Sequence, residues 1–346
     1  MRHPTHQHGF KVQFASKAAL LRLALLFTVL IILGISAWLK IAWMPGQSYK
    51  GEILPLQPEE ILLRNQLQAD IQKIAVEIGA RNANQYDQLN PTKVFLEKSL
   101  TDAGYTVKPQ AYTIEDKTYY NLAVEKVGSE NPNQVIVIGA HYDSVFASIG
   151  ANDNATGVAA TLALARMFAQ KSPKSTVRFV EFVNEEPPFF WTENMGSLVY
   201  AKSIDPQQEK IVAMLSLETM GYFSDTIGSQ QYPSPLHLFY PNQGNFIVFV
   251  GNLKSGNLVR RAITSFRRHA QFPSEGASLP AWVPGVGWSD QWSFWQQGYP
   301  GIMVTDTAPY RYPYYHTIDD TIDKINFDKL ARVVSGLEKV ISDLAD

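Results

Sequence analysis

Short apolar runs alternate with helical runs along most of this chain of 346 residues, and this alternation limits the folds that it can adopt. Six apolar runs are predicted to be strands: residues 121–126, 134–140, 176–183, 211–217, 246–250 and 301–304. Helical patterns occupy residues 55–81, 91–103, 155–170, 195–202, 256–270 and 325–344. Strands that alternate with helices form a sheet that is covered by helices on both faces. The sequence therefore predicts an α/β fold.

The first 50 residues differ from the rest of the chain in both charge and hydropathy. They hold six basic side chains and no acidic one, and residues 23–39 carry no charge. An uncharged apolar run of this length beside basic residues predicts a membrane segment whose N-terminus stays in the cytoplasm. No small-residue cleavage site is evident after it, so we favour an uncleaved signal anchor over a cleaved signal peptide.

The predicted organisation follows from that anchor. It comprises a basic cytoplasmic tail (1–17), a signal anchor (18–44), a linker (45–57) and one large domain (58–346). The large domain is expected in the periplasm or outside the cell, in a single-pass membrane protein, and it would be secreted if the signal were cleaved.

Composition excludes several classes of function. The chain has no cysteine, which removes thiol nucleophiles, disulfides, iron–sulfur clusters and cysteine-ligated zinc. Residues 51–346 hold 24 basic and 32 acidic side chains, so their net charge is −8. An acidic body argues against nucleic acid as the main partner. Nothing in the composition indicates an oligomeric state.

Side chains that can bind a metal follow four of the predicted strands, and one more begins a helix. They are His141 and Asp143 after strand 134–140, Glu185 and Glu186 after 176–183, Glu218 after 211–217, His316 beyond 301–304, and Asp153 before helix 155–170. Each signal is weak alone, because Asp153 also fits a simple helix N-cap and histidine–carboxylate pairs are common in loops. As a set they favour a metal site, because the carboxyl ends of such strands share one edge of the sheet. Two histidines and three carboxylates suit zinc, manganese or cobalt, and their number fits two bridged ions.

The order and spacing of these motifs resemble the M28 family of zinc peptidases. The motifs are His-Tyr-Asp-Ser at 141–144, Asp-Asn-Ala-Thr-Gly at 153–157, Asn-Glu-Glu-Pro-Pro at 184–188, Leu-Glu-Thr-Met-Gly-Tyr at 217–222 and Tyr-His-Thr-Ile-Asp-Asp-Thr at 315–321. The presumed ligands are separated by 12, 33, 32 and 98 residues, and the likeness spans about residues 58–345. The resemblance implies a single peptidase domain with a mixed, mostly parallel central sheet flanked by helices on both faces.

The resemblance also implies a ligand set for two zinc ions. One ion would bind His141 and Glu218, the other would bind Glu186 and His316, and Asp153 would bridge the two. Many family members have aspartate where this chain has Glu218, whose extra methylene should preserve binding.

Three further roles are implied by the same resemblance. Glu185 would be the general base, Asp143 would orient the first histidine ligand, and Tyr315 would donate a hydrogen bond to an oxyanion. The family's common Ser-Asp-His is here Ser289-Asp290-Gln291, so Gln291 receives no role.

The implied reaction is removal of the N-terminal amino acid from a peptide with a free N-terminus. Three alternatives remain open. A glutaminyl cyclase of the same fold would use one zinc ion. A carboxypeptidase for acidic peptides would need basic residues at the pocket, where Arg311 is the obvious one. A non-catalytic, membrane-anchored interaction protein would be expected to have lost ligands, whereas this chain keeps all five.

Two loop regions and one helix face bear on specificity. Residues 271–288 are rich in proline, glycine and tryptophan and are predicted to be irregular, and residues 309–315 are rich in tyrosine. These aromatic side chains fit either a pocket for a hydrophobic N-terminal residue or ordinary loop packing. The four arginines of helix 256–270 (Arg260, Arg261, Arg267 and Arg268) are interpreted as a solvated face.

Overall fold

The fold is taken from a computed structural model that describes residues 16–346, so most of the predicted tail (1–17) lies outside the described residues. The strands are β1 (Lys108–Ile114), β2 (Lys117–Lys126), β3 (Asn131–His141), β4 (Ser175–Phe182), β5 (Lys210–Glu218), β6 (Ile247–Asn252), β7 (Ser274–Leu279) and β8 (Gly301–Thr305). The α-helices are α1 (Lys17–Ile41), α2 (Pro58–Ile71), α3 (Tyr86–Asp102), α4 (Ala155–Phe168), α5 (Gly196–Ser203), α6 (Gly256–His269), α7 (Gln291–Gln296) and α8 (Phe327–Ala345).

The eight strands form one sheet in the order β1-β2-β4-β3-β5-β8-β6-β7. β3 pairs in parallel with β4 and β5, β5 with β8, and β6 with β7, whereas β1–β2, β2–β4 and β6–β8 are antiparallel. The predicted mixed, mostly parallel sheet is therefore confirmed. Because β4, β3, β5 and β8 run in one direction, their carboxyl ends share one edge of the sheet.

Alternate residues of the central strands face two different helical layers. In β3, Ile136 and Ile138 join the core under α2, α4 and α8, while Val135 and Val137 join a smaller core against α5 and α7. A strand buried on both faces reads as a continuous apolar run, which is why this strand was visible in the sequence.

Outer strands differ from the sequence prediction. Residues 271–288 were predicted to be irregular, and this was wrong for Ser274–Leu279, which forms β7. The segment Ser-Glu-Gly-Ala-Ser-Leu has little intrinsic strand preference, but parallel pairing with β6 overrides it. β1 was also missed, because only one of its faces is partly buried.

The helix Lys17–Ile41 has 25 residues. At a rise of ~1.5 Å per residue, its length exceeds the ~30 Å apolar thickness of a bilayer. Among the residues that the structure describes, it is the one helix long and apolar enough to cross a membrane. Residues 41–346 form a compact unit of their own.

The edge segment (residues 41–48) belongs to that compact unit and lies along β7, the outermost strand. Met44 is buried there, and the absence of a side chain on Gly276 of β7 leaves room for it. The Arg267 guanidinium group donates hydrogen bonds to the carbonyl oxygens of Pro45 (3.0 Å) and Gly46 (3.3 Å). The backbone N–H of Ser274 donates to Ser48 Oγ (2.9 Å). The edge segment thus covers an otherwise open strand.

Candidate metal centre

The carboxyl-terminal edge of the sheet brings all five predicted metal ligands together. His141 ends β3, Glu186 lies just beyond β4, Glu218 ends β5, Asp153 precedes α4, and His316 lies in the loop after β8. They form two groups of three in which every ligand atom lies within 4.8 Å of the others. His141, Asp153 and Glu218 form one group, and Asp153, Glu186 and His316 form the other.

Asp153 is common to both groups, and its two carboxylate oxygens face different histidines. Its Oδ1 lies 3.4 Å from His141 Nε2, and its Oδ2 lies 3.1 Å from His316 Nε2. Glu218 Oε2 lies 3.2 Å from His141 Nε2, and Glu186 Oε2 lies 3.4 Å from His316 Nε2. A carboxylate placed in this way can bridge two cations.

The loop that carries Asp153 is held by Asp320, from the last predicted motif. Asp320 Oδ2 accepts a hydrogen bond from the backbone N–H of Asp153 (3.0 Å). Its Oδ1 accepts from the N–H of Asn152 (2.8 Å) and from the hydroxyl group of Tyr312 (2.7 Å). The buried Asn154 side chain accepts from the N–H of Gly157 and donates to the Leu217 carbonyl. The orientation of Asp153 is therefore fixed from both sides.

Asp143 joins the β3 exit to the β4 exit. Its Oδ1 accepts a hydrogen bond from the backbone N–H of Glu185, and its Oδ2 accepts from the N–H of Glu186, each at 3.1 Å. The same carboxylate lies 3.5 Å from Nδ1 of His141, the ring nitrogen that points away from Asp153. Asp143 is thus placed to orient both His141 and the pair of glutamates.

Glu185 and Tyr315 lie beside the two groups. Glu185 Oε2 lies 3.8 Å from His141 Nε2, and the Glu185 side chain is buried. The ring of Tyr315 stacks on His316 with 3.8 Å between the ring centroids. Ser289 donates a hydrogen bond to Glu218 Oε2 (2.7 Å), so the Ser289-Asp290 motif contacts a ligand even though Gln291 has no role there.

Arg81 is a supporting residue that the sequence did not indicate. Its fully buried guanidinium group donates hydrogen bonds to the carbonyl oxygens of Tyr142 (2.6 Å), Ile149 (2.6 Å) and Gly150 (3.2 Å). It therefore joins the loop after His141 to the loop before Asp153. Burial lowers the pKa of Arg81 to about 10, and the nearby carboxylates oppose that effect, so it stays cationic at neutral pH. No local pattern distinguishes this arginine from a surface one.

Burial and charge crowding shift the titration of the whole cluster. Burial raises the pKa values of Glu185 and Glu186 well above 4.5, and neighbouring carboxylates raise them further. Burial alone would lower the pKa of His141, but Glu185 and Glu218 raise it well above 6.5. The pKa of His316 is raised in the same way, to about 9, chiefly by Asp153 against the opposing effect of burial. So many buried carboxylates require a compensating positive charge.

Metal ions are the positive charge that fits this cluster. The donors are imidazole nitrogens and carboxylate oxygens, the set that zinc accepts in sites without cysteine. Among the residues that the structure describes, no hydrogen-bond donor reaches the buried Oε1 of Glu186. An unpaired carboxylate oxygen in this position is explained by a bound cation.

A cavity adjoins the metal centre at Glu218 and Tyr315. It lies over the face of β6, β7 and β8 that carries Val248, Ala277 and Met303, where loops rather than a helix cover the sheet. The remaining walls come from the loops 232–240, 283–288 and 307–310 and are almost entirely apolar. Arg311, the basic residue predicted near His316, is buried and bonded to Gln230 and to the Phe246 carbonyl.

The sequence profile of Peptidase family M28 matches residues 121–341, which is more than half of the chain and includes every ligand above. This chain belongs to peptidase family M28. It is therefore an enzyme, a zinc metallopeptidase, as the sequence predicted. The resemblance inferred from the spacing of the motifs is confirmed.

Curated relatives include one uncharacterized protein and one aminopeptidase. The protein YfbL of Escherichia coli (strain K12), described as uncharacterized, is 35% identical over 281 residues, which cover 79% of this chain and 85% of YfbL. An aminopeptidase of Pseudomonas aeruginosa (strain UCBPP-PA14) is 37% identical over 132 residues, which cover 38% of this chain but only 20% of that protein.

Solved structures show the same fold at low identity. The zinc aminopeptidase BSAP of Bacillus subtilis matches with a TM-score of 0.66 at 14% identity, over 82% of this chain and 95% of that one. A glutaminyl cyclase of Tannerella forsythia matches with a TM-score of 0.57 at 20% identity, over 81% of this chain and 98% of that one. The fold is therefore shared by two kinds of enzyme, and the residues of this chain must decide between them.

Proposed function

We propose that this M28 enzyme is an aminopeptidase with two zinc ions, which removes the N-terminal residue of peptides. The position of Asp153 is the observation that carries this proposal. Its two oxygens each face a separate histidine–carboxylate pair, so the chain offers three ligands to each of two ions. A single-ion site would not need Asp153 to face His316 and Glu186 as well.

The roles proposed for the protein side chains follow from their positions. Glu185 takes a proton from the attacking water and returns it to the leaving amine, for which a carboxyl pKa raised by burial is suited. Asp143 fixes the orientation of the His141 ring and of the Glu185 backbone. Tyr315 donates to the developing oxyanion from its place above His316. Bound zinc would supply Lewis acidity toward the water and the scissile carbonyl group.

The substrate is proposed to be a peptide whose first residue is hydrophobic. The apolar cavity begins at Glu218 and Tyr315, so a side chain bound beside the metal centre would extend into it. The carboxylate-rich centre favours the free α-ammonium group of such a peptide. Arg311 does not favour a carboxypeptidase for acidic peptides, because it is buried and hydrogen-bonded behind the site.

We place the enzyme on a single-pass anchor, with the tail in the cytoplasm and the peptidase domain in the periplasm or outside the cell. The sequence divided residues 41–48 between the anchor (18–44) and the linker (45–57), but in the structure they belong to the same compact unit as the predicted domain (58–346). The apolar helix Lys17–Ile41 and the one-sided positive charge of residues 1–50 support this topology.

Zinc stoichiometry and substrate choice test the proposal together. The full-length protein in detergent should contain two zinc ions per chain and release nitroaniline from Leu and Phe nitroanilides, and chelation should abolish this activity. One zinc ion per chain with cyclisation of N-terminal glutamine, and no nitroaniline release, would replace the aminopeptidase with the cyclase. A protein that binds no zinc would overturn the proposed centre.

A further inference from the structure

The compact unit begins at Ile41, directly after the apolar helix residues 17–40. Ile41, the last residue of α1, packs on the apolar cluster of Phe246, Val248 and Val250 that also lines the cavity. Three residues later Met44 is buried beside β7. Residues 41–44 are thus held in the compact unit, and only chain continuity joins this face to the apolar helix, so a bilayer that contained the helix would be tethered near this face.

Large apolar side chains are exposed on the loops next to Ile41. Leu238 and Phe239 are 69% and 56% exposed on the loop 232–240, and Trp282 is 83% exposed on the loop 280–288. Trp43, within the edge segment, is also exposed. Both loops line the cavity, since Leu236 and Val283 form part of its wall. Exposed clusters of this kind mark contact surfaces, and tryptophan is enriched where proteins meet the membrane surface.

Positive charge lies on the other side of the edge segment. Arg261 and Arg268 of α6 are exposed and border a shallow groove together with Pro45 and Asp343, and Arg268 lies 3.6 Å from the Asp343 carboxylate. Arg267, predicted to be part of the same solvated face, instead holds the backbone of the edge segment. Exposed arginine side chains pair well with the phosphates of anionic lipids.

We propose that the loops 232–240 and 280–288, with Trp43, rest in the headgroup layer of a bilayer that contains anionic phospholipid. The apolar loops insert beside the end of the anchor, and the arginines of α6 contact the phosphates. The cavity between the two loops then opens at the lipid surface. If the proposed aminopeptidase activity also holds, the substrates are peptides whose apolar N-terminus is presented at that surface.

Spin labels test this contact without any use of activity or zinc. The chain has no cysteine, so one introduced cysteine carries the only label. The full chain would be placed in nanodiscs of phosphatidylcholine and phosphatidylglycerol, with Leu238→Cys as the test site. Val127→Cys, 60% exposed at the opposite end of the sheet, is the matched control, and Leu30→Cys marks the anchor. Collisions of each label with oxygen and with a nickel chelate report its depth.

The label at position 238 is expected about 5–10 Å below the phosphate level, with the label at 127 in water and the label at 30 in the apolar core. A label at 238 that is as accessible to nickel as the label at 127, while the label at 30 reads as lipid, overturns the proposal and leaves the anchor intact. If the labels at 238, 127 and 30 are all exposed to water, both the loop contact and the membrane anchor are overturned. Trp282→Cys repeats the test at a second exposed site, so a folding defect at one position does not decide the result.

Discussion

Asp320 accepts a hydrogen bond from the backbone N–H of Asp153 at 3.0 Å, across 167 residues of sequence. The same carboxylate also accepts a hydrogen bond from the N–H of Asn152, so it sets the direction of the loop that ends in Asp153, the residue common to both candidate ligand groups. Neither residue could fix the geometry of the metal centre alone. Asp153 and the residue that positions it come from distant segments of the domain.

Replacing that carboxylate should weaken the centre without removing a ligand. In Asp320→Asn one acceptor oxygen becomes an amide donor that faces a backbone N–H, so Asp153 should turn. We expect zinc affinity and kcat/KM to fall by about 10–100-fold, the range typical of outer-shell partners. Competition with a chelating dye measures the affinity. Asp319→Asn changes an exposed neighbour in the same way and should leave both values unchanged. Equal zinc affinity in the two variants would contradict the positioning role.

The adjacent glutamates should separate chemistry from metal binding. Glu185→Gln removes the proposed base, so kcat should fall by about 10²–10⁴-fold while zinc content stays at the wild-type level. Glu186→Gln should instead lose zinc, because Glu186 faces His316 and Asp153. Elemental analysis and steady-state kinetics on both proteins provide the comparison. Loss of zinc from the Glu185 variant would show that the two roles are assigned the wrong way round.

The cavity should determine which N-terminal residue is accepted. Ala277 lies on the cavity wall, and Ala277→Leu would fill part of the space. Excluding one or two carbon atoms of the substrate side chain from such a pocket costs about 1–3 kcal/mol of transition-state binding free energy, so kcat/KM for Phe nitroanilide should fall about 10–200-fold. Ala nitroanilide, which does not reach that wall, should be hydrolysed as before. A uniform loss with both substrates would point to a folding defect, and no loss with either would place the side chain elsewhere.

Glu181 should make stability depend on pH. It is buried in β4, and among the described residues neither of its carboxylate oxygens has a hydrogen-bond partner. Burial raises its pKa well above 4.5, and the charges of Asp70 and Asp290 raise it further. The Glu181 carboxyl group therefore binds its proton more tightly in the folded state than in the unfolded state. Its contribution to the free energy of unfolding is present near pH 4.5 and is lost as pH rises through the folded-state pKa.

Thermal unfolding of Glu181→Gln checks this direction. The variant should be more stable than the wild type at pH 8, and the difference should shrink as pH falls toward 4.5. Glu130→Gln, at an exposed position, is the control and should show no such trend. A Glu181 variant that is less stable than the wild type at pH 8 would be inconsistent with a buried carboxyl that lacks a partner.

The five proposed ligands could be picked out from the sequence because polar residues at the end of an apolar strand stand out. His141 and Glu218 each follow such a run directly, and parallel strands bring their ends together. The roles of Arg81 and Asp320 could not be predicted in this way. Both act through backbone groups that lie 61 or more residues away, and no local pattern records such contacts.

The outer part of the sheet was missed for a related reason. β7 contains Glu275, Gly276 and two serines, and its hydrophobic pattern is too weak to indicate a strand. It forms because β6 offers a pairing edge on one side and the edge segment covers the other. The long apolar helix was the easier prediction, since length and lack of charge suffice for it.

If the apolar helix anchors the enzyme as proposed, the residues that follow it determine how the enzyme could be released from the cell. A protease that cut between Ile41 and Met44 would leave β7 covered and would shed an intact domain. A cut after Ser48 would remove Met44 and the carbonyl groups that Arg267 binds, and would expose an edge strand able to add a strand from a neighbouring molecule. Shedding without aggregation is therefore confined to a window of about three peptide bonds.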